Sequence, residues 1–538
     1  MRTIHAIVMG LLCTQAVAKD LRIEHVTIVS PEREAPLHDA KVTIRDDRIV
    51  AIESSAGAAS TVAHGKRAAA KSTPGAGGSA KPANSAASNL GTAASNPGTE
   101  AVIDGTGLFL APGLIDSHVH TFDPVGIGDA QAKANPQVAS ALREQAPPSY
   151  LLFGYTTLID LISTKSHAAA WNALAVRPDL YFCGGAPIPG GYPPFEQLTD
   201  EDRQGLLQYM VIQRGEEAKA PKGVDAATHT PEAVITRMKA DGARCVKTFY
   251  ERGFGEDDEL PVPRLDTTRD LVKAAHAAHM PVFIHANGTD AQEFALQAGA
   301  DIIAHGMWHW NHEQKATELT PRAKQILDDV LKANTGWQPT MQVLYGLRDL
   351  YDPGFLADPR VASVVPPSAI EWYRSPQGQW YRDILAPTMM SGEVLKSNDR
   401  QAQWQEAQAA LASPIARNRN ATRYLVAHGG RLLFGTDTPS APTYGNQPGL
   451  NGWREMQRWV EAGVTPQQVF RAATLANAEI LGLSGEIGTV QRGKRANLLL
   501  LRADPTQTVD AYVEIAKVIL HGKVLDPADL AANRHGTM

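Results

Sequence analysis

His118 and His120 stand one residue apart in "PGLIDSHVHTFDP". Residues i and i+2 of a strand share a face, whereas on a helix they lie about 200° apart, at roughly 3.6 residues per turn. The run "LFLAPGLIDSHVH" is short, apolar and bounded by Gly and Pro, so it reads as a buried strand whose two imidazoles can reach one ion. Taken alone, the pair fits a bland strand end equally well. Four further groups change the balance. Lys247 lies inside the apolar "RCVKTFY", His285 ends "PVFIH", His305 ends "DIIAH" and Asp437 ends "LLFGTD". A lone His after an apolar strand is more often a satisfied core residue, and a buried Asp can be a loop cap. Lys247 is harder to dismiss, because burying an unpaired ammonium is costly. Six metal-competent groups at five predicted strand ends are hard to explain as packing. Neutral imidazoles suit zinc and similar ions.

Those side chains need a scaffold that brings strand ends together. From Pro112 onward strands and helices alternate. The candidate strands are "GLIDSHVH", "TTLIDLIS", "LYFCGGAP", "ARCVKTFY", "PVFIHAN", "DIIAHGMW", "GWQPTMQV" and "RLLFGTDT", with amphipathic segments such as "TRDLVKAAHAAHM" and "DAQEFALQAGA" between them. Eight strands with intervening helices predict an α/β fold, a (β/α)8 TIM-type barrel over residues 112–484, whose active site lies at the C-terminal ends of the strands. Thr465 can cap the last helix and Pro466 fits its first position. Short alternating runs at residues 19–54, 100–111 and 485–538 read as strands of a small composite β-sandwich domain built from both chain ends. Residues 55–99 are dominated by Ala, Gly, Ser and Pro and lack core-forming side chains, which predicts a disordered low-complexity insertion.

The net charge of -6 is mild for this length, and no basic block or stripe marks a nucleic-acid partner. No stretch beyond the N-terminus is long and apolar enough to span a membrane. The N-terminus itself, "MRTIHAIVMGLLCTQAVAKD", has Arg2, an apolar core and a small-x-small site at Ala16-Val17-Ala18. It reads as a signal peptide over residues 1–18, and so as an exported chain, periplasmic or secreted. The three cysteines, Cys13, Cys183 and Cys245, are too few for a disulfide scaffold and lack zinc-finger spacing. Cys245 shares the face of Lys247 by period two and reads as small barrel filler.

The set in this order resembles the amidohydrolase superfamily of metal-dependent hydrolases. "GLIDSHVH" falls on the first strand, Lys247 on the fourth, His285 and His305 on the fifth and sixth, Asp437 on the eighth, and "GTVQRGKRANLLLL" is similar to the family's return into its small β domain. A lysine on strand four resembles the two-metal members, in the prolidase-like and imidazolonepropionase-like group. The resemblance implies two divalent ions, with zinc expected, and a carboxylated Lys247 bridging them. It implies His118, His120 and Asp437 on the more buried ion and His285 and His305 on the second. Two such ions can share a hydroxide. Asp437 would orient it, accept its proton and hand that proton to the leaving amine. The expected reaction is hydrolysis of a carbon–nitrogen bond in a small molecule or dipeptide, not an ordinary protein peptide bond. The sequence leaves a homo-oligomer open.

Tyr250 and Arg252, just after Lys247, and His309, in "HGMWHWNH", are candidate substrate contacts, with a packed or solvated loop the competing reading for His309 and His312. His276 and His279 read as surface residues of a helix. Trp372-Tyr373 and Trp380-Tyr381 lie in a long insertion after strand seven, with aromatic core as the default. A mononuclear deaminase or cyclic-amide hydrolase on the same fold is the first rival. Deaminases of this family place a Glu three positions after the strand-five histidine, where this chain has Gly288. An inactive metal-binding protein would be expected to have lost a ligand. There is no G-x-S-x-G elbow, Walker loop or H-E-x-x-H.

Overall fold

A computed structural model describes residues 20–54, 101–122, 124–194, 200–254, 260–396 and 399–534. The signal-peptide reading of residues 1–18 and the low-complexity reading of residues 55–99 lie outside them. The chain opens with β1 (Asp20–Ile28), β2 (Leu37–Arg45), β3 (Arg48–Ser54), β4 (Ala101–Asp104) and β5 (Phe109–Pro112). It continues through β6 (Leu114–Val119), β7 (Tyr155–Asp160), β8 (Asp179–Gly185), β9 (Cys245–Phe249), β10 (Val282–His285), β11 (Ile302–Ala304) and β12 (Gly336–Gln338). The last strands are β13 (Leu498–Leu501), β14 (Ile515–Leu520) and β15 (Lys523–Leu525).

Strands from both chain ends share one sheet, ordered β15-β14-β13-β5-β1-β2-β3 with β4 on β1. The expected sandwich of two sheets is thus one connected sheet. The reason lies in β1, which pairs with β4 through residues 21–24 and with β5 through Thr27 and Ile28. Between these halves its register with β2 shifts, and His25 sits at a φ of 57°. An inserted residue of this kind bends a strand and turns the sheet over its own core, here Ile23, Val26, Ile28, Val42 and Leu498.

The second sheet is parallel throughout, in the order β12-β11-β10-β9-β8-β7-β6. Every residue of β6, β7, β9 and β10 is buried, as expected for strands covered on both faces. Helices such as Leu265–Ala277 and Pro321–Ala333 present their apolar stripes, Leu271, Val272 and Ala275 on one and Ile326, Leu327 and Val330 on the other. Among the described residues, no helix is long and apolar enough to cross a membrane.

The expected eighth strand, "RLLFGTDT", forms no regular strand. It makes single bridges, Leu432 to Trp337 and Thr438 to Val119. Its backbone still touches both edges of the curled sheet: Leu433 N donates to Trp337 O (3.0 Å), Ser117 N to Phe434 O (3.1 Å) and His120 N to Thr438 O (2.8 Å). Gly435 sits where this segment meets the site. A Cβ there would lie 2.6 Å from the His118 Cβ and 2.7 Å from Gln338 Nε2, so the backbone presses against site side chains. The seventh expected strand, "GWQPTMQV", is also shorter than its pattern. Pro339 has no N–H to continue the ladder, Thr340 turns at a φ of 41°, and helix Gln342–Asp349 follows.

The last helix starts as its sequence predicts, with a reciprocal Thr465–Gln468 capping box and Pro466 in the first turn. It then widens into a π turn at Ala472–Ala476. Directly after the turn, Asn477 Nδ2 donates to Ile115 O (2.9 Å) and Phe434 O (2.7 Å). One amide thereby ties the first strand to the segment 431–438.

Cys183 and Cys245 form a disulfide, which corrects the reading of Cys245 as filler alone. β8 and β9 are neighbours in a register that sets the two cysteines opposite each other, and both are fully buried. Replacing both by alanine is expected to cost about 2–5 kcal/mol of unfolding free energy. The denaturant midpoint reads this out, and an unchanged midpoint would show that the pairing contributes no stability.

Candidate functional site

The first strand is pinned before its histidines emerge. Buried Asp116 accepts from His118 N (3.2 Å) and, across the gap, from Thr436 N (3.1 Å) and Oγ1 (2.7 Å). Burial pushes its carboxyl up to about 7 against the pull of these donors. Asp160, at the end of β7, accepts from Thr121 N (2.7 Å) and Oγ1 (2.6 Å), fixing the chain just past His120. His118 Nδ1 meets Gln338 Oε1 at 3.2 Å, and Gln338 Nε2 donates to Ser117 Oγ (2.7 Å). An acceptor at Nδ1 places the ring proton there and leaves the Nε2 lone pair for the site.

Asp437 is the hub. Its Oδ1 lies 3.0 Å from His118 Nε2 and 2.9 Å from His120 Nε2, and its Oδ2 lies 3.7 Å from His305 Nδ1. His118, His305 and Asp437 bring ligand atoms within 4.8 Å of one another. Burial would raise the Asp437 carboxyl, but the charges and hydrogen bonds of the surrounding histidines outweigh it and hold the group well below the usual range. Burial drives His118 down to about 3, with Lys247 adding to the effect, and takes His305 well below its ordinary value. Burial also lowers His120, yet the Asp437 hydrogen bond and charge prevail and raise it. Asp437 and His305 adopt φ of 59° and 82°. Non-glycine residues rarely occupy this region, and they cluster where a site demands a particular aim.

Lys247 is 1 % exposed. Burial pushes its ammonium down to about 7, with Asp437 opposing. Its Nζ lies 3.3 Å from His118 Nε2. These residues fit a divalent cation. A lone pair on His118 faces a carboxylate oxygen at 3.0 Å, an arrangement that a cation between or beside them relieves, and the donors are neutral imidazoles plus an anion.

His285 stands slightly apart. Its ring centroid is 4.4 Å from that of His305, but its Nε2 meets Glu251 Oε2 at 3.1 Å. Glu251 is 7 % exposed and was not among the sequence candidates. Its one signal is position, four residues after Lys247 and just past the end of β9. Burial opposes its ionisation, but His285 and the Gly253 N–H (3.0 Å) pull the carboxyl below the ordinary range. Tyr192, in the loop after β8, places its ring 4.7 Å from that of His285. Asp160, Asp116 and Gln338 also escaped notice, because each looks like an ordinary strand or turn residue.

Tyr250, Arg252 and His309 line one pocket together with Glu251, Asn287 and Asp290. Arg252 Nη2 donates to Tyr250 Oη (3.2 Å), and its Nε lies 3.6 Å from Asp290 Oδ2. His312 sits on the adjoining 3-10 turn Asn311–Glu313, outside the pocket lining. His276 pairs with Asp301 at 2.8 Å on the helix surface. Trp372 and Tyr373 are buried. Tyr373 Oη and Trp380 Nε1 donate to Val125 O (2.5 Å) and Gly126 O (3.3 Å), bracing the loop that follows His120.

No curated protein matches the chain in sequence. Solved structures do match its fold. A Xaa-Pro dipeptidase with methionine bound in its active site is 18% identical with a TM-score of 0.59, over 94% of this chain and 100% of that one. Ochratoxinase from A. niger is 18% identical with a TM-score of 0.58, over 95% and 96%. Molinate hydrolase is 15% identical with a TM-score of 0.57, over 95% of each. At these identities the likeness is one of fold. The amidohydrolase family pattern matches residues 109–314 and 381–525, more than half of the chain, and all six candidate ligands fall within these ranges. The chain therefore belongs to the amidohydrolase family, and is an enzyme that hydrolyses carbon–nitrogen bonds.

Proposed function

We propose that the protein is a two-metal hydrolase of amide-type bonds in small molecules or dipeptides. The observation that carries this is the convergence of His118, His120 and His305 on Asp437, with Lys247 buried beside them. In this reading the segment 431–438 is the eighth strand of a (β/α)8 barrel, and its hydrogen bonds to both sheet edges support that closure. His118, His120 and Asp437 would hold one divalent ion and His285 and His305 the other, with Lys247 as the residue that would join them. Zinc is the expected metal. When bound, the ions polarise the scissile carbonyl and keep the attacking water deprotonated near neutral pH.

The chain's own groups do the rest. An amine pushed down to about 7 is largely neutral just above that pH, and a neutral amine is what adds to carbon dioxide. The N–C bond that forms releases one amine proton to solvent, and the resulting carbamate is an anion with two oxygens that would suit two cations and would remove the cost of a buried ammonium. Asp437, ionised throughout the neutral range, would accept the one proton left on the attacking hydroxide at its carboxylate and return it to the departing nitrogen. Tyr250, Arg252 and His309 contact the polar end of the substrate in the adjoining pocket. The protein is exported. The buried Cys183–Cys245 disulfide supports this, because such bonds persist in oxidising compartments.

Metal analysis and turnover test the reading together. Protein purified without chelator is expected to hold close to two divalent metals per chain and, loaded with zinc and bicarbonate, to hydrolyse members of a panel of dipeptides and N-acyl amino acids. A content that stays near one would return the site to a mononuclear mechanism.

A further inference from the structure

We infer that Thr340 is a positioning residue for His305: its hydroxyl accepts the Nδ1 proton of that ring and so turns Nε2 toward the second ion. The inference rests on the two-metal reading above and adds to it the device that aims one ligand. His305 Nδ1 lies 3.0 Å from Thr340 Oγ1. The other acceptor near this nitrogen, Asp437 Oδ2, is 3.7 Å away, beyond hydrogen-bond reach. A neutral imidazole carries one N–H and one lone pair, and the partner of the first nitrogen decides which nitrogen a cation meets. A hydroxyl can also donate. Were Thr340 to donate to Nδ1, the ring proton would stand on Nε2 and leave no lone pair there for a metal. A ligand role for His305 therefore requires the hydroxyl to accept.

The backbone singles out the same residue. Thr340 is fully buried and holds a φ of 41°. A β-branched residue is rare in this left-handed region and persists only where its surroundings impose it. Here they grip the chain on both sides. Pro339 O accepts from Gly306 N and from Asn418 Nδ2, each at 2.9 Å. The residue before Thr340 is thereby tied to the residue after His305. On the other side Glu455 accepts from Met341 N (3.0 Å) and Gln342 N (2.6 Å), a carboxylate seated at the start of helix Gln342–Asp349. Glu455 is itself fully buried, and Trp459 Nε1 donates to its Oε1 (2.7 Å). The same short segment holds His118, whose Nδ1 meets Gln338 Oε1 at 3.2 Å. Residues 338–340 thus supply none of the candidate ligands, yet they orient one histidine of each ion.

The test uses the zinc-loaded full chain and reads the ring and the metal separately. NMR of protein with isotope-labelled histidine follows the ring nitrogens, and the His305 signals are assigned by their loss in His305→Gln. They are expected to show the proton on Nδ1 and zinc on Nε2. Thr340→Val keeps the branched shape, and with it the backbone preference, but removes the acceptor. It is expected to hold the second zinc roughly 10–100-fold more weakly in competition with a chromophoric chelator, with a metal-free melting temperature near that of the parent. Thr340→Ser restores a hydroxyl and is expected to recover the parent affinity. A ring proton on Nε2 overturns the inference, as does a Thr340→Val that binds both ions as tightly as the parent. Equal weakening in the Val and Ser variants also overturns it, and assigns the effect to side-chain shape. If the parent binds a single zinc, the two-metal reading falls, while the ring tautomer still decides the role of Thr340. Should Thr340→Val fail to fold, the tautomer of the parent decides in the same way.

Discussion

Lys247→Ala is expected to lower kcat/KM by roughly three orders of magnitude and metal content from two ions toward one or fewer. The size follows from several kcal/mol of charge stabilisation at a metal centre, with each 1.36 kcal/mol worth about tenfold. The side chain is 1 % exposed and its amine is pushed down to about 7 by burial. A plain structural lysine would instead seek a carboxylate partner, and here Nζ meets an imidazole nitrogen. If the residue serves as a carbamate, short carboxylic acids in excess should partly restore Lys247→Ala by occupying the vacated space. Lys247→Arg should stay inactive, because guanidinium remains cationic and does not take up carbon dioxide. pH gives a further readout. Reloading of metal-free protein with zinc and bicarbonate should quicken as pH rises through about 7, since the neutral amine fraction grows in that direction. An Arg variant with full metal and near-parental activity would defeat the bridging role.

Part of this site was legible in the chain itself. The His118-x-His120 spacing implies a shared face; β6 ends at Val119 with His120 directly after it, and both Nε2 atoms lie within 3.0 Å of Asp437 Oδ1. Thr465 and Pro466 announce a helix start, and the capping box forms there. These are local signals, carried by neighbours within four residues. What escaped depends on register and close approach between distant segments. Cys183 and Cys245 are 62 residues apart, and only the packing of β8 on β9 sets them opposite. Glu251 looks like any turn carboxylate until β10 brings His285 beside it. The run "RLLFGTDT" reads as a strand, yet it makes only single bridges, and Gly435 within it lies close against His118 and Gln338. That the strands of the composite domain form one connected sheet escaped for a similar reason. A bend at His25 lets β1 pair with β4 on one half and β5 on the other, and no periodicity announces a bend.

Asp437→Asn should separate metal holding from proton transfer. The amide keeps the size and one oxygen of the carboxylate, so the backbone at a φ of 59° and the neighbouring hydrogen bonds of Asp116 and Thr436 should survive. The variant should therefore fold, with a melting temperature close to the parent. It loses two things. The negative charge that draws His118 and His120 around one oxygen, at 3.0 and 2.9 Å, is gone, so one ion should be held more weakly. The proton acceptor is also gone, which is expected to cost roughly 10²–10⁴-fold in kcat. Ligand loss alone would be relieved by excess zinc, whereas loss of the acceptor would not. Activity measured across a zinc titration distinguishes them: metal content should climb back toward two while kcat stays low. The sign on His120 gives a second check. Its imidazole is raised because the hydrogen bond and charge of Asp437 outweigh burial, so in metal-free Asp437→Asn burial should prevail and its titration should move to lower pH, as followed by NMR of the ring protons. Full recovery of kcat with zinc would assign Asp437 to metal binding alone and place the proton transfer on another group.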